Sequence, residues 1–438
     1  MRDLIATARS VGGAVAGRAS AVAGGAGARY LLVLATAVLC YAALGAVLGI
    51  LPGYVHSLGG GPVLVGLAVG APALTGAAGR PLGGRIADRV GPARVVGFGA
   101  LLMALGTVPA YVRVLPVLIA SRLAVGAGEA AMMAATVLWL LRLAGPERCG
   151  RALGHIGLAN YAGLTVGPPL AQALSGDSHT ARVWIAAAAL PLLAVALAAL
   201  VARGDDHAGH AVARETEEGD GNAASGAFRA TLRPGLGLML VNFGYVALLS
   251  FGAAAVTEQR SGIATLVLPV FGITVIASRT ILAGIPDRFG AIRTLSVSVL
   301  LEAAGLAGLA TATSSPVALV ALVVMSLGQG LAVPSLGLLA LASVPPSRHG
   351  RTAGAFFAYF DAGVGLGGPA AGLAAHAADP TGALFAAAVA VLASAPVALL
   401  GRGRGLARGL AHGREPARGQ EPARGQDPRA ESRCDAAT

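Results

Sequence analysis

The stretch Arg80-Pro-Leu-Gly-Gly84-Arg-Ile-Ala-Asp88-Arg89-Val-Gly91-Pro-Ala-Arg94 returns 199 residues later as Arg279-Thr-Ile-Leu-Ala-Gly-Ile-Pro-Asp287-Arg288-Phe-Gly290-Ala-Ile-Arg293. Charged residues make up only 12% of the chain, so the matches at Arg80, Asp88, Arg89 and Arg94 mark an internal duplication. A second pair follows at a shift of 200. Pro146-Glu-Arg148-Cys-Gly150-Arg151-Ala-Leu-Gly154 matches Pro346-Ser-Arg348-His-Gly350-Arg351-Thr-Ala-Gly354. The glycines Gly154, Gly163 and Gly167 recur as Gly354, Gly363 and Gly367.

Composition says where such a duplicated chain lives. Of 438 residues 55% are hydrophobic and 64 are Gly. Average globular chains carry about 25% charged residues. A soluble core has no room for this much apolar surface, whereas lipid accepts it. Small residues let membrane helices approach closely. The net charge is +11 and every Lys or Arg is Arg. These Arg residues lie in loops and tails, which fits membrane topology better than nucleic-acid binding. Cys40, Cys149 and Cys434 form no disulfide or metal pattern.

A membrane helix needs about 20 mostly apolar residues. Such runs cover 29–51, 62–83, 95–112, 115–141, 152–174 and 183–201, then 235–257, 263–284, 294–311, 316–343, 353–375 and 381–400. The expectation is an all-α membrane protein with twelve transmembrane helices in two six-helix, pseudo-repeated halves. Its parts are a cytoplasmic N-terminal tail (1–29), a first half (30–202), a cytoplasmic linker (203–233), a second half (234–401) and a disordered cytoplasmic tail (402–438). Residues 1–29 carry Arg2, Arg9, Arg18 and Arg29 without a strong apolar core, so they read as a tail and not as a cleaved signal. Arg residues crowd the loops on the side of the termini and are sparse opposite, which puts both termini in the cytoplasm of a cell-membrane protein.

The stretch from Gly84 to Arg94 resembles the signature loop between the second and third spans of the major facilitator superfamily. Arg122-Leu-Ala-Val-Gly126-Ala-Gly128-Glu129 is similar to that family's Arg-containing motif in the fourth span. Gly154, Gly163, Gly167 and Pro168 resemble the fifth-span motif of its drug/proton antiporters, although Ala171 and Gln172 replace a usual Gly pair. The resemblance covers about residues 29–401. It implies two halves rocking about a central site.

The residues themselves suggest roles. Arg80, Gly84, Asp88, Arg89, Gly91 and Arg94, with Asp287, Arg288 and Arg293, read as a cytoplasmic gate that latches in one conformation; a static topogenic loop is the alternative. Arg122 lies inside span 4, where a charge costs about 2.5–3.5 kcal/mol, so it must face protein. Glu129 falls seven residues on, on the same helical stripe. Asp361 lies in span 11 among small residues. Arg122, Glu129 and Asp361 are the candidates for proton coupling, against a reading as buried structural charges. Glu302 in span 9 reads as structural. Tyr41, Asn160, Tyr161, Asn242, Tyr245, Gln329 and Tyr359 are candidates for a substrate cavity at mid-depth. Gly154, Gly163, Gly167 and Pro168 set the packing and bend of span 5.

No phosphate-binding loop, metal-ligand spacing or nucleophile pattern is present, so the chain reads as no enzyme and as needing no cofactor. The expected partners are a small-molecule substrate, protons and the bilayer, with no nucleic acid, and the expected state is a monomer. The expected activity is proton-coupled efflux of a small amphipathic compound by alternating access. Uptake of a sugar or metabolite by symport or uniport is one alternative. A non-transporting scaffold or sensor is another.

Overall fold

The computed structural model describes residues 2–145, 148–175, 180–202, 221–258, 263–342, 344 and 349–399. Among them every long element is a helix and none is a strand. The C-terminal tail 402–438 and most of the linker expected at 203–233 lie outside the described residues.

The spans follow the apolar runs. Span 1 lies within the helix Arg2–Ser57, so the helix continues unbroken into the segment expected as a tail. Spans 2, 3 and 4 are Pro62–Val90, Pro92–Thr107 and Leu115–Ala144. A tighter 3-10 turn, Val108–Val112, ends span 3. Spans 5 and 6 are Cys149–Ser175 and Thr180–Ala202. Span 7 belongs to the helix Gly221–Ala247, which starts before position 234; its first turns are Ala-rich and carry no Pro until Pro234. It continues through a π-turn, Leu248–Gly252, to Glu258. Spans 8, 9 and 10 are Val267–Ile281, Ala291–Thr311 and Ser315–Leu341. The last helix, His349–Leu399, breaks at Ala378 and at Asp379 (φ +59°), which divides it into spans 11 and 12. Ten of these helices, counting that last one once, are long and apolar enough to cross a bilayer. The break at Asp379 and the less apolar span 5 accommodate the expected twelve.

Exposed apolar side chains mark the lipid face. Phe98, Ile185, Leu300, Val320 and Val389 point outward. In water such a surface would be an aggregation patch; in lipid it costs nothing.

Packing depends on glycines that admit backbone against backbone. Gly163 and Gly167 of span 5 face Val38, Tyr41, Ala42 and Ala46 of span 1. Gly126 of span 4 sits on Pro72 and Thr75 of span 2, and Gly128 on Gly99 of span 3. The second half copies the last contact: Gly328 of span 10 sits on Ser298 and Glu302 of span 9.

The first repeated stretch is a turn and not a loop, while its copy bends at 282–284 and runs through the short helix Ile285–Phe289. Span 2 runs to Val90 and span 3 starts at Pro92, so Gly91 alone joins them, at φ +95°. Its copy Gly290 has φ +88°. The ten-residue connection read from the sequence therefore shrinks to one residue. Asp88 is in the last turn of span 2.

Candidate functional site

Two pairs of spans bring the first half against the second. Span 2 meets span 11 along a seam of small residues. Gly372 packs on Pro62 and Val63, Gly368 on Gly66, and Gly365 on Gly70 and Leu74. The seam ends at Gly76, where an added Cβ would lie 3.5 Å from the Asp361 carboxylate. Further on, Gly79 and Gly83 turn to Ala130 and Ala131 of their own half. Span 5 meets span 8, with Gly272 against Thr165 and the Gln172 amide donating to the Thr265 carbonyl at 3.1 Å. Both seams are closed toward the end away from Asp88.

At the mid-depth end of the first seam sits a charged group drawn from four spans. Arg80 Nη2 lies 2.9 Å from Asp361 Oδ1 and 3.6 Å from Glu129 Oε1. The Tyr41 hydroxyl donates to Glu129 Oε1. The Asp361 side chain is 3% exposed and that of Glu129 9%. Asp361 Oδ2 and Arg80 Nε are buried without a hydrogen-bond partner. The group thus ties spans 1, 2 and 4 to span 11, and Arg80 is its centre.

The sequence reading placed Arg80 with the gate, and it placed Arg122 beside Glu129. The structure sets both differently. Arg80 extends from span 2 into the bundle. Arg122 is buried and donates from Nε to the Ala68 carbonyl at 3.1 Å, twelve residues along span 2 from Arg80. Seven residues return a side chain to the same stripe but about 10 Å along it, too far for a direct pair.

The remaining gate candidates are exposed. Arg142 Nη2 lies 3.5 Å from Asp88 Oδ1, within the first half. Arg288 rests near the Phe289 ring, and Asp287 and Arg293 face outward. Gly84 has open space around it. Arg94 Nη1 bonds to the Val90 carbonyl, and Arg89 is exposed.

The cavity candidates fall into three places. Tyr41 belongs to the charged group. Tyr161 and Tyr245 line a small apolar recess with Phe271, Leu48 and Leu164, between spans 1, 5, 7 and 8. Tyr245 stacks on Phe271 at 5.5 Å between ring centres. The Arg279 guanidinium sits 4.7 Å over the Tyr161 ring, with Nη2 3.5 Å from its hydroxyl. Asn242 and Gln329 are buried in the second half. With its nitrogen turned to Glu302, the Gln329 amide donates to both carboxyl oxygens, at 2.9 and 3.2 Å. That carboxyl is wholly buried. Asn160 points its amide nitrogen at the Met133 sulfur, and Tyr359 lies against Gly235 of span 7. Gly163, Gly167 and Pro168 serve the span 1 contact, while Gly154 has open space around it.

Sequence reasoning passed over Arg279 and Phe271. Arg279 had a signal: it is the repeat copy of Arg80. At a shift of 200, Tyr161 also corresponds to Asp361, and Gln329 to Glu129. The two halves therefore build the same crossing twice, once with acids and once without.

Among the described residues no cluster of His, Cys, Asp and Glu has metal-binding geometry. A family model, Major Facilitator Superfamily, matches residues 33–368 and 257–429. The chain is 34% identical over 378 residues to an uncharacterized MFS-type transporter of Burkholderia pseudomallei (strain 1106a), spanning 82% of this chain and 88% of that one. It is 32% identical over 353 residues to another from Salmonella typhimurium, spanning 76% of this chain and 86% of that protein. The crystal structure of the nucleoside transporter NupG superposes with a TM-score of 0.69 at 16% identity, over 85% of this chain and 98% of that one. That likeness concerns the fold. With the duplicated all-α fold and the matched signature residues, these matches settle the family: the chain is a multi-pass membrane transporter that belongs to the Major Facilitator Superfamily.

Proposed function

We propose that this transporter exports a small amphipathic compound in exchange for protons, as in the drug/proton antiporter branch. The single observation that carries the reading is the Arg80 bridge to Asp361 and Glu129. Two carboxylates against one guanidinium leave one negative charge in an apolar bundle. A single proton cancels it. Protonating Asp361 removes the anion that holds span 2 to span 11 beside the seam, which frees the halves to rock. Losing the proton restores the strap. A coupling ion thus acts on the contact that governs conformation, as alternating access requires.

The Arg-rich end is taken as cytoplasmic and both termini as lying there. The seams closed at the far end then make this the inward-facing arrangement, ready to load from the cell. The Asp88–Arg142 pair stays within one half here, in keeping with an open latch. A monomer suffices, since both halves of the site come from one chain.

The test uses everted vesicles with an acidic lumen and a pH-sensitive dye. Compounds that the protein exports release the gradient in wild type and fail to do so in Asp361→Asn and Glu129→Gln at equal expression. Equal gradient release by the variants would sink the relay. Accumulation that follows the gradient in the reverse sense would favour uptake by symport. No flux of any amphipathic probe, with no gradient release, would favour a scaffold.

A further inference from the structure

The repeat places Arg279 where Arg80 stands, but among the described residues no carboxylate balances it. Arg80 faces Asp361 across the halves and Glu129 within its own. Arg279 faces Tyr161 across the halves, and the position that copies Glu129 holds the amide of Gln329. Among the described residues Arg279 makes no ion pair, and its Nε is buried without a hydrogen-bond partner. Arg279 stands half-buried in the last turn of span 8, and its buried Nε favours an anion that would accept from it. The rings of Tyr161, Tyr245 and Phe271 lie beside it: Tyr161 and Phe271 are 6.5 Å apart between centres, and Tyr245 and Phe271 stack. A small apolar recess therefore shares Tyr161 with a guanidinium that, among the described residues, has no ion-pair partner, at the seam between the halves.

We propose that this recess, widened as the seam parts, binds an amphipathic organic anion, whose carboxylate takes on Arg279 the place that Asp361 takes on Arg80, and whose planar body packs among the aromatic side chains. A guanidinium offers paired N–H donors that match a carboxylate in the plane. The cargo then completes the second crossing as the protein's own acid completes the first. This names the substrate class for the transport reading above and rests on it.

The test is equilibrium binding to the full chain in nanodiscs, by calorimetry and with no gradient. Naphthoate is compared with naphthylmethylammonium, which has the same rings and the opposite charge, and with butyrate, which lacks the rings. Naphthoate should bind saturably and at least about tenfold tighter than either. Arg279→Gln should weaken naphthoate at least about tenfold, and Arg279→Lys less, because an ammonium keeps charge but loses the paired geometry. Tyr161→Asp should supply the missing carboxylate from within. That variant should keep or raise the melting temperature and lose naphthoate binding. Equal binding of the cationic probe overturns the proposal. So does full naphthoate binding in Arg279→Gln or Tyr161→Asp. If those variants fail to fold, the comparison of charged probes on the wild type decides alone. Naphthoate binding without gradient-driven flux counts against proton coupling only; flux of another compound without naphthoate binding counts against the anion site only.

Discussion

Arg279 lies with its guanidinium 4.7 Å above the Tyr161 ring, at the repeat position where Arg80 meets the Asp361 carboxylate at 2.9 Å. One crossing between the halves sets acids against its guanidinium, and the other, among the described residues, sets only aromatic and polar groups. Transport models need both kinds of contact, one that answers to the driving ion and one that answers to the cargo.

Removing the guanidinium of Arg80 leaves two buried acids facing each other. Arg80→Gln should therefore destabilise the protein by about 3 kcal/mol, the usual cost of breaking a buried pair from one side. Asp361→Asn in the same background should restore part of the loss. Thermal unfolding of the single and double variants in one detergent checks this; additive losses would show that Arg80 and Asp361 do not interact.

The seam between spans 2 and 11 has no space for a side chain. A Cβ on Gly66 would overlap the Gly368 backbone. Gly66→Val should hold the far end apart and reduce transport at least tenfold, an effect of about 1.4 kcal/mol or more on the equilibrium between the two conformations. Gly97→Val, in span 3 with open space around it, should change transport less than twofold. Flux assays at matched protein levels compare the two.

Gly91 and Gly290 hold φ values that L-residues rarely adopt. Gly91→Ala and Gly290→Ala should each cost about 1–3 kcal/mol through backbone strain, with no loss of any side-chain contact. Melting temperatures should fall by similar amounts in the two variants, because the turns are copies. An unchanged melting temperature would mean that the turn relaxes.

Glu302 is wholly buried like Asp361, yet it answers to the Gln329 amide inside the second half and not to a charge across the halves. Glu302→Gln should keep transport within about twofold, whereas Asp361→Asn abolishes its dependence on the gradient. Glu302→Leu should lower stability by about 1–3 kcal/mol, since it strands the amide. Parallel flux and melting curves separate the two roles.

The exposed Asp88–Arg142 pair is weak by contrast. Arg142→Gln should shift stability by less than about 1 kcal/mol. A larger loss of transport than of stability would show that Asp88 has another partner in the alternate conformation.

Most of the fold was legible because lipid simplifies the code. Long apolar runs must be helices there, and the copied turn at Gly91 and Gly290 declared the duplication. The site was legible in part. Glu129, Asp361 and Tyr41 stood out as polar groups inside apolar runs, and they meet. Arg80 and Arg279 did not stand out, since each lies within a stretch whose other Arg residues are exposed, and only their long side chains carry the charge into the bundle. Arg122 was paired with Glu129 on helical register, which fixes direction around the axis but not distance along it. Asn242 and Gln329 looked like cavity residues, but Gln329 satisfies Glu302 and Asn242 donates to the Leu238 carbonyl of its own helix. Polarity in a membrane span signals that a partner exists without saying which helix supplies it.

The seam of Gly66, Gly70, Gly365, Gly368 and Gly372 has a consequence for the energy of opening. Lipid tails are as apolar as the faces they would replace, and most of the contact is backbone against backbone, with Leu74 against Gly365 as the side chain that crosses it. What holds it is dispersion between two smooth backbones, which falls off within an ångström and has no preferred register. Such a contact parts and re-forms with little friction and without repacking either half. On the transport reading proposed above, the charged bridge at the seam's inner end is the contact that a proton would release, so chemistry at one carboxylate would time a movement of the whole molecule.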